Sequence, residues 1–352
     1  MKDFYRGKKI LITGHTGFKG SWMCKVLTGF GADVAGYALK PDEGSLYYLA
    51  DIDGKIRSYI GDIRDLKSLE EVFEKEQPEI VIHMAAQPLV RESYIDPVYT
   101  YDVNVMGTVH VLECIRKYDC VKSVLNVTTD KVYENKEWIW GYRENENLNG
   151  YDPYSNSKSC SELVTSSYIK SFFQDRDVAI STARAGNVIG GGDFSKDRII
   201  PDCVFAATGG ADIKVRNKNS IRPYQHVLEP VFAYLLIVMK QYGDKSLASS
   251  YNVGPNESDC WTTGRLTEAF CTEWEKYNGS KISWFSETDG GPHEANFLKL
   301  DCSYIKNTLA WKPVWDVRTA IEQSVAWYTA WHKKEDIVAC MESQIEQFLR
   351  GN

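Results

Sequence analysis

Tyr154 and Lys158 are separated by three residues in Tyr-Ser-Asn-Ser-Lys, at the start of a segment with helical character. Positions i and i+4 share one face of a helix, so the phenol and the ammonium are expected to point into one pocket. A cation beside a phenol favours the phenolate and lowers its pKa. Such a phenolate can take a proton from a substrate hydroxyl while hydride leaves the same carbon. By itself the pair also fits a solvated helix face. It gains force from Thr128-Thr129-Asp130-Lys131, at the carboxyl end of an apolar stretch, which adds a carboxyl and a second amine. Catalytic groups collect at that edge of a parallel sheet.

A second constellation is Thr13-Gly14-His15-Thr16-Gly17-Phe18-Lys19-Gly20, between an apolar strand and a helical stretch. Glycines at these intervals let the backbone turn sharply and approach a diphosphate. The helix that follows offers unbonded N–H groups and the positive end of its dipole. A ligand-free tight turn is the plainer alternative, but the position in the first strand–helix unit favours a dinucleotide. Its kind is open at this stage: Lys40 after the second strand suits a 2′-phosphate, and Asp42 suits ribose hydroxyls. Asp62, after the third strand, is a candidate for the adenine amino group, or simply part of a turn.

These groups need a frame. Strands are predicted at about 8–13, 33–39, 57–60, 79–85, 123–129 and 178–185. Helices are predicted to about 29 and over 66–75, 99–117 and 154–173. Strand and helix alternate, which argues for an α/β fold: a doubly wound parallel sheet of the Rossmann type. After Gly186 the loops lengthen, as in Gly190-Gly191-Gly192 and in 216–223. We therefore expect a dinucleotide-binding domain over 1–186 and a smaller mixed α/β substrate domain over 187–352, with a soft boundary and an interwoven chain.

The chain has 352 residues, 43% hydrophobic and 25% charged, with a formal net charge of −7. Such a balance fits a soluble enzyme and argues against a general nucleic-acid binder. The nine cysteines are scattered, as reduced thiols are, and neither they nor the six histidines show metal-ligand spacing. The longest apolar run, Val231 to Met239, falls far short of the ~20 residues a membrane helix needs. The N-terminus carries no signal-peptide pattern, so a cytoplasmic location is expected.

The order of T-G-x-x-G-x-x-G, His83-Met84-Ala85-Ala86, Asn104-Val105-Met106-Gly107-Thr108, Y-x-x-x-K and Arg184-Ala185-Gly186-Asn187 resembles that of the extended short-chain dehydrogenase/reductases. Long stretches (14–21, 83–91, 137–158, 184–193 and 220–230) are similar to the CDP-glucose 4,6-dehydratases within that family. The resemblance implies NAD as cofactor, held by Gly14, Gly17, Phe18, Lys19, Gly20, Asp62, Ile63, Ala85, Ala86, Asn104, Tyr154 and Lys158. It implies Thr129, Asp130, Lys131, Tyr154 and Lys158 as the catalytic set of a hydro-lyase. In that reaction carbon 4 of the sugar is oxidised, water is eliminated across carbons 5 and 6, and carbon 6 is reduced. The 4-keto-6-deoxy product would feed a deoxysugar of a bacterial surface glycan.

Related dTDP-glucose enzymes carry Glu where this chain has Lys131, which leaves Lys131 as base on carbon 5, as a charge that stabilises the enolate, or as a partner of Asp130. The resemblance places CDP-glucose against Asn187, Arg216, Arg222 and His293, with Gln87 and Arg91 as sugar-side or structural contacts. It also implies a homodimer built on the 99–117 and 154–173 helices, the first of which is apolar nearly all round. The alternatives are a nucleotide-sugar 4-epimerase, which needs no elimination acid, and a non-catalytic NAD-sensing protein, which needs neither Tyr154 nor Lys158.

Overall fold

The computed structural model describes residues 1–288, 290–291 and 297–351. β1 (Lys9–Thr13), β2 (Asp33–Ala38), β3 (Arg57–Ile60), β4 (Ile80–His83), β5 (Ser123–Val127) and β6 (Ala179–Ala185) pair in parallel. A seventh strand, Ser250–Val253, pairs in parallel with β6, and the sheet order runs from it through β6, β5, β4, β1 and β2 to β3. The order reverses between β1 and β4, which opens a crevice at the strands' carboxyl ends. This is the doubly wound sheet that the strand–helix alternation predicts.

Period-two alternation builds the two faces of the sheet. Ile10, Ile12, Ile80, Ile82, Leu125 and Val127 enter one core. Leu11, Val81, Val124 and Ile180 enter the other. The second half of the chain contributes to the first core through the helix Leu228–Gly243. Gln241 on that helix donates to the Val124 carbonyl at 2.9 Å. Short strand pairs complete the second half: Ile213–Val215 with Trp284–Ser286, and Ile221–Pro223 with Cys260–Thr262.

Two local features position the site. Asp152 caps the helix Pro153–Tyr168, accepting the Ser155 N–H at 2.9 Å, with Pro153 at the first helical position. That fixes Tyr154 in the first turn. The expected helix over 99–117 begins earlier, at Pro97, and passes through a π-helical turn at Asp102–Met106. Asn104 lies in that turn, and its amide accepts from Gln87 N at 2.9 Å and donates to the Gln87 carbonyl at 3.1 Å and to Ser157 Oγ at 2.9 Å.

Candidate active site

The crevice holds a cavity of about 1190 Å³. Thr129, Asp130, Lys131 and Tyr154 all line it, as do Phe18 and Lys19 of the glycine turn. β5 ends at Val127, and a 3-10 turn over Asp130–Val132 aims the next residues into the opening. Thr129 starts that turn, accepting the Lys131 N–H at 3.4 Å. Its hydroxyl donates to Asp130 Oδ1 at 3.0 Å, and Lys131 Nζ stands 3.5 Å from the same oxygen. Asp130 is 1% exposed, and its other oxygen, Oδ2, has no hydrogen-bond partner among the described residues. A buried carboxyl oxygen at a cavity wall is suited to a substrate hydroxyl.

Tyr154 and Lys158 depart from the simple pairing of phenol and ammonium. Lys158 does not line the cavity; its Nζ donates to the Val127 carbonyl at 3.1 Å. Burial, with Lys19 adding a like charge, pushes the Lys158 amine down to about 7. Tyr154 is not lowered: burial pushes its phenol up to about 12, while a Thr129 hydrogen bond acts the other way and the Asp130 charge adds to the rise. Desolvation outweighs the expected effect of the cation because the amine is turned to the end of β5.

Beneath this shelf is a buried polar network. Glu162 accepts from Thr128 Oγ1 at 2.5 Å, from Thr182 Oγ1 at 2.7 Å and from Arg184 at two points. Arg184 donates as well to Tyr133 Oη and to the Glu144 carbonyl, each at 2.9 Å. The shelf carrying Thr129 and Asp130 is thereby tied to β6.

The glycine turn fits a dinucleotide. Gly14 has φ +76°, and a Cβ there would lie 2.7 Å from Ala85 N, so only glycine lets the turn rest on the edge of β4. A Cβ on Gly20 would stand 2.2 Å from the Gly14 carbonyl oxygen. Gly17 is different: its Cβ would meet only Gly14 O, at 3.5 Å. It is the N-cap of the helix Phe18–Gly29, and no side chain among the described residues caps that helix. The first-turn amides are therefore available to a diphosphate. His15 closes the turn from within, fully buried, with Nε2 2.7 Å from Ser58 Oγ.

The other sequence-predicted residues divide. Asp62 pairs with Arg64 at 2.7 Å, and that hydrogen bond holds its carboxyl below the usual range. Ile63 is buried in the core against Gly107. Ala85 and Ala86, half-buried, follow β4 at the crevice. Asn187 lines the cavity with its Oδ1 buried and unpartnered among the described residues. Arg91, Arg216 and Arg222 line it too. Arg216 Nη1 meets Asp197 Oδ1 at 2.6 Å, and Arg91 Nε stands 3.5 Å from that oxygen.

Gln87 takes the structural of its two expected roles. It does not line the cavity, because its amide is spent on Thr100 Oγ1 at 2.9 Å and on the backbone of Leu89. Asn104, similarly, is buried as a clasp between the β4 edge and Ser157. His293 lies outside the described residues. Sequence reasoning missed Asp193, Asp197, Arg198 and Asp202, all on the cavity wall. The signal was there in Asp193-Phe194-Ser195-Lys196-Asp197-Arg198, four charges directly after a glycine run.

The sequence profile of the GDP-mannose 4,6 dehydratase family matches residues 11–324. The chain belongs to this family. Among the dehydratases it is similar to the CDP-glucose 4,6-dehydratase of Salmonella typhimurium, 44% identical over 99% of this chain and 98% of that one. The dTDP-glucose 4,6-dehydratase of Xanthomonas campestris is 25% identical over 90% of this chain and 92% of its own. The fold of this dehydratase-family chain is shared with dTDP-glucose 4,6-dehydratase from Bacillus anthracis, solved in complex with NAD. The TM-score is 0.78 at 21% identity, covering 94% of this chain and all (100%) of that one. It is shared equally with the Thermus thermophilus UDP-glucose 4-epimerase complex with NAD, with a TM-score of 0.77 at 22% identity, over 91% of this chain and 98% of that one.

Proposed function

We propose that the protein is an NAD-dependent hydro-lyase that converts CDP-glucose to CDP-4-keto-6-deoxyglucose. The observation that carries this reading is the placement of Asp130 and Lys131 beside Tyr154 on one cavity wall. The 44% identity to a CDP-glucose 4,6-dehydratase over nearly the whole chain supports the choice of substrate.

When bound, NAD supplies a reversible hydride acceptor. The glycine turn and the uncapped start of the Phe18–Gly29 helix would hold its diphosphate, with Lys158 Nζ fixed on the Val127 carbonyl below the catalytic shelf. The residues of the chain do the proton chemistry. Tyr154 Oη takes the proton of the sugar's 4-hydroxyl, helped by the Thr129 hydrogen bond, which opposes the cost of a buried phenolate. The ketone so formed at carbon 4 acidifies the proton on carbon 5. A proton passed from Lys131 Nζ to Asp130 across their 3.5 Å contact leaves the amine neutral to receive the carbon 5 proton and the carboxyl protonated to give one to the departing 6-hydroxyl, which leaves as water. Lys131 gives its proton back to carbon 5, and the proton that Tyr154 gained offsets the one that Asp130 lost; carbon 4 ends oxidised and carbon 6 reduced, so no outside oxidant is needed. Arg222 holds the diphosphate of the substrate, since a guanidinium matches phosphate oxygens at two points, and the buried Asn187 Oδ1 accepts from a sugar hydroxyl.

A 4-epimerase on this scaffold needs no acid for a leaving hydroxyl, so a buried carboxyl oxygen at the cavity wall favours elimination. Two copies pair through the exposed apolar side chains of the Pro97–Lys117 and Pro153–Phe173 runs. The test of function is incubation with CDP-glucose, with mass analysis of the sugar and ultraviolet absorbance in alkali. The expected result is a product lighter by one water with no net consumption of NAD. Recovery of CDP-galactose, or of unchanged substrate, overturns the reading.

A further inference from the structure

The cavity has a second chemical feature, and its interpretation rests on the nucleotide-sugar reading above. The sugar must meet Tyr154 and Asp130 at the sheet edge. The nucleoside therefore reaches the wall built by the second half of the chain, from the helix Ile199–Thr208, Lys214 and Arg216. That wall is rich in cations, as a diphosphate requires. A carboxylate is unfavourable beside a diphosphate, yet two stand there, Asp197 and Asp202.

Asp197 is engaged by Arg216 at 2.6 Å and by Arg91 at 3.5 Å. Asp202 sits in the first turn of the helix, half-buried, following Ile199 and Ile200, which bring apolar surface to the same wall. A carboxylate has about four acceptor positions, so Asp202 on the cavity wall has capacity for a donor from a ligand. Burial raises its pKa to about 6, with Arg216 acting against the rise and Asp197 adding to it. At neutral pH it is chiefly an acceptor.

An acceptor on the wall that meets the base selects a base with a donor on its edge. Cytosine presents an exocyclic amino group where uracil and thymine present a carbonyl oxygen. We propose that Asp202 accepts a hydrogen bond from the cytosine amino group and so makes the site select cytidine over uridine and thymidine diphosphate sugars.

The test is calorimetric titration of the full-length protein, with NAD present, by CDP and by UDP. Wild-type protein is expected to bind CDP roughly 10- to 100-fold tighter. A CDP analogue with hydrogen in place of the 4-amino group is expected to lose that same factor on wild-type protein. In Asp202→Asn the amide offers both donor and acceptor, so the CDP preference is expected to fall below about threefold. A preference retained in Asp202→Asn overturns the proposal. So does wild-type protein that binds the amino-less analogue as tightly as CDP, a measurement that needs no variant to fold. Failure of the functional reading looks different: no dehydrated sugar forms from CDP-glucose, whatever the nucleotide preference.

Discussion

Arg184 meets Glu162 at two points, Nε to Oε1 at 3.0 Å and Nη2 to Oε2 at 2.9 Å, with both side chains buried. Glu162 also receives Thr128, the residue before the catalytic shelf. Removing one member leaves a buried charge without its counter-charge, which typically costs about 3–5 kcal/mol. Arg184→Met and Glu162→Gln are each expected to lose stability in that range, and the double variant less than the sum. Urea midpoints measure this. An additive double variant would show that the two residues act independently.

Tyr154→Phe keeps the ring and removes the only atom assigned to the 4-hydroxyl proton. Turnover of CDP-glucose is expected to fall roughly 100- to 10,000-fold, the usual worth of a proton-transfer group. Far-ultraviolet circular dichroism should be unchanged, because the helix cap is Asp152. Near-normal turnover would move the base elsewhere.

The Lys158 amine, held at about 7 against an ordinary 10.5, gives a pH signature. Between about pH 7 and 10 the unfolded chain keeps a proton there that the folded protein has released. Stability therefore rises with pH across that window, by at most about 1.4 kcal/mol per pH unit for this proton. Below pH 7 both states are protonated and the contribution is flat. Lys158→Met is expected to abolish this part of the slope, read as urea midpoints at pH 7, 8 and 9. Parallel curves for the two proteins would mean that Lys158 keeps its proton when folded.

Met106, Leu163 and Phe172 are 42, 55 and 48% exposed on the two helical runs proposed to pair. Large exposed apolar side chains on neighbouring helices mark an interaction surface. Leu163→Glu is expected to convert a dimer into a monomer in sedimentation. Wild-type protein that sediments as a monomer at micromolar concentration would remove the dimer from the proposal.

Much of this arrangement is legible in the chain itself. β1 to β6 fall within two residues of their expected spans; for all but β3 this is because buried strands leave a nearly uninterrupted apolar signal, whereas β3, Arg-Ser-Tyr-Ile at the sheet edge, is marked by the Gly61-Asp62 that ends it. The Ser250–Val253 strand leaves no such signal, since Ser250 and Asn252 break the run. Asn252 is fully buried, and what satisfies it are distant groups, Tyr133 Oη and the Tyr142 carbonyl, which no local pattern reveals. The i, i+4 rule put Tyr154 and Lys158 on one face correctly. It does not tell that the longer side chain bends to the Val127 carbonyl. The choice between a sugar-side and a structural Gln87 is open in the sequence for a similar reason: its partner Thr100 is thirteen residues on, across a turn whose course the sequence does not state.

The last prediction separates Asp130 from Lys131. Oxidation at carbon 4 uses Tyr154 and the cofactor and asks nothing of either residue. Once carbon 4 is a ketone, loss of the carbon 5 proton and loss of the 6-hydroxyl are distinct events. Asp130 Oδ2, buried at the cavity wall without a partner among the described residues, is assigned to the hydroxyl. Lys131 Nζ, 3.5 Å from the other oxygen, is assigned to carbon 5. Asp130→Asn preserves shape and removes the acid, so dehydration is expected to slow roughly 100- to 10,000-fold. The carbon 5 proton should still leave and return. In deuterated water, CDP-glucose recovered from the Asp130→Asn reaction should therefore carry deuterium at carbon 5. Lys131→Met should block both the exchange and the dehydration. Proton magnetic resonance of the recovered sugar, beside mass detection of the product, reads the two events separately. Exchange that survives in Lys131→Met but disappears in Asp130→Asn would reverse the two assignments.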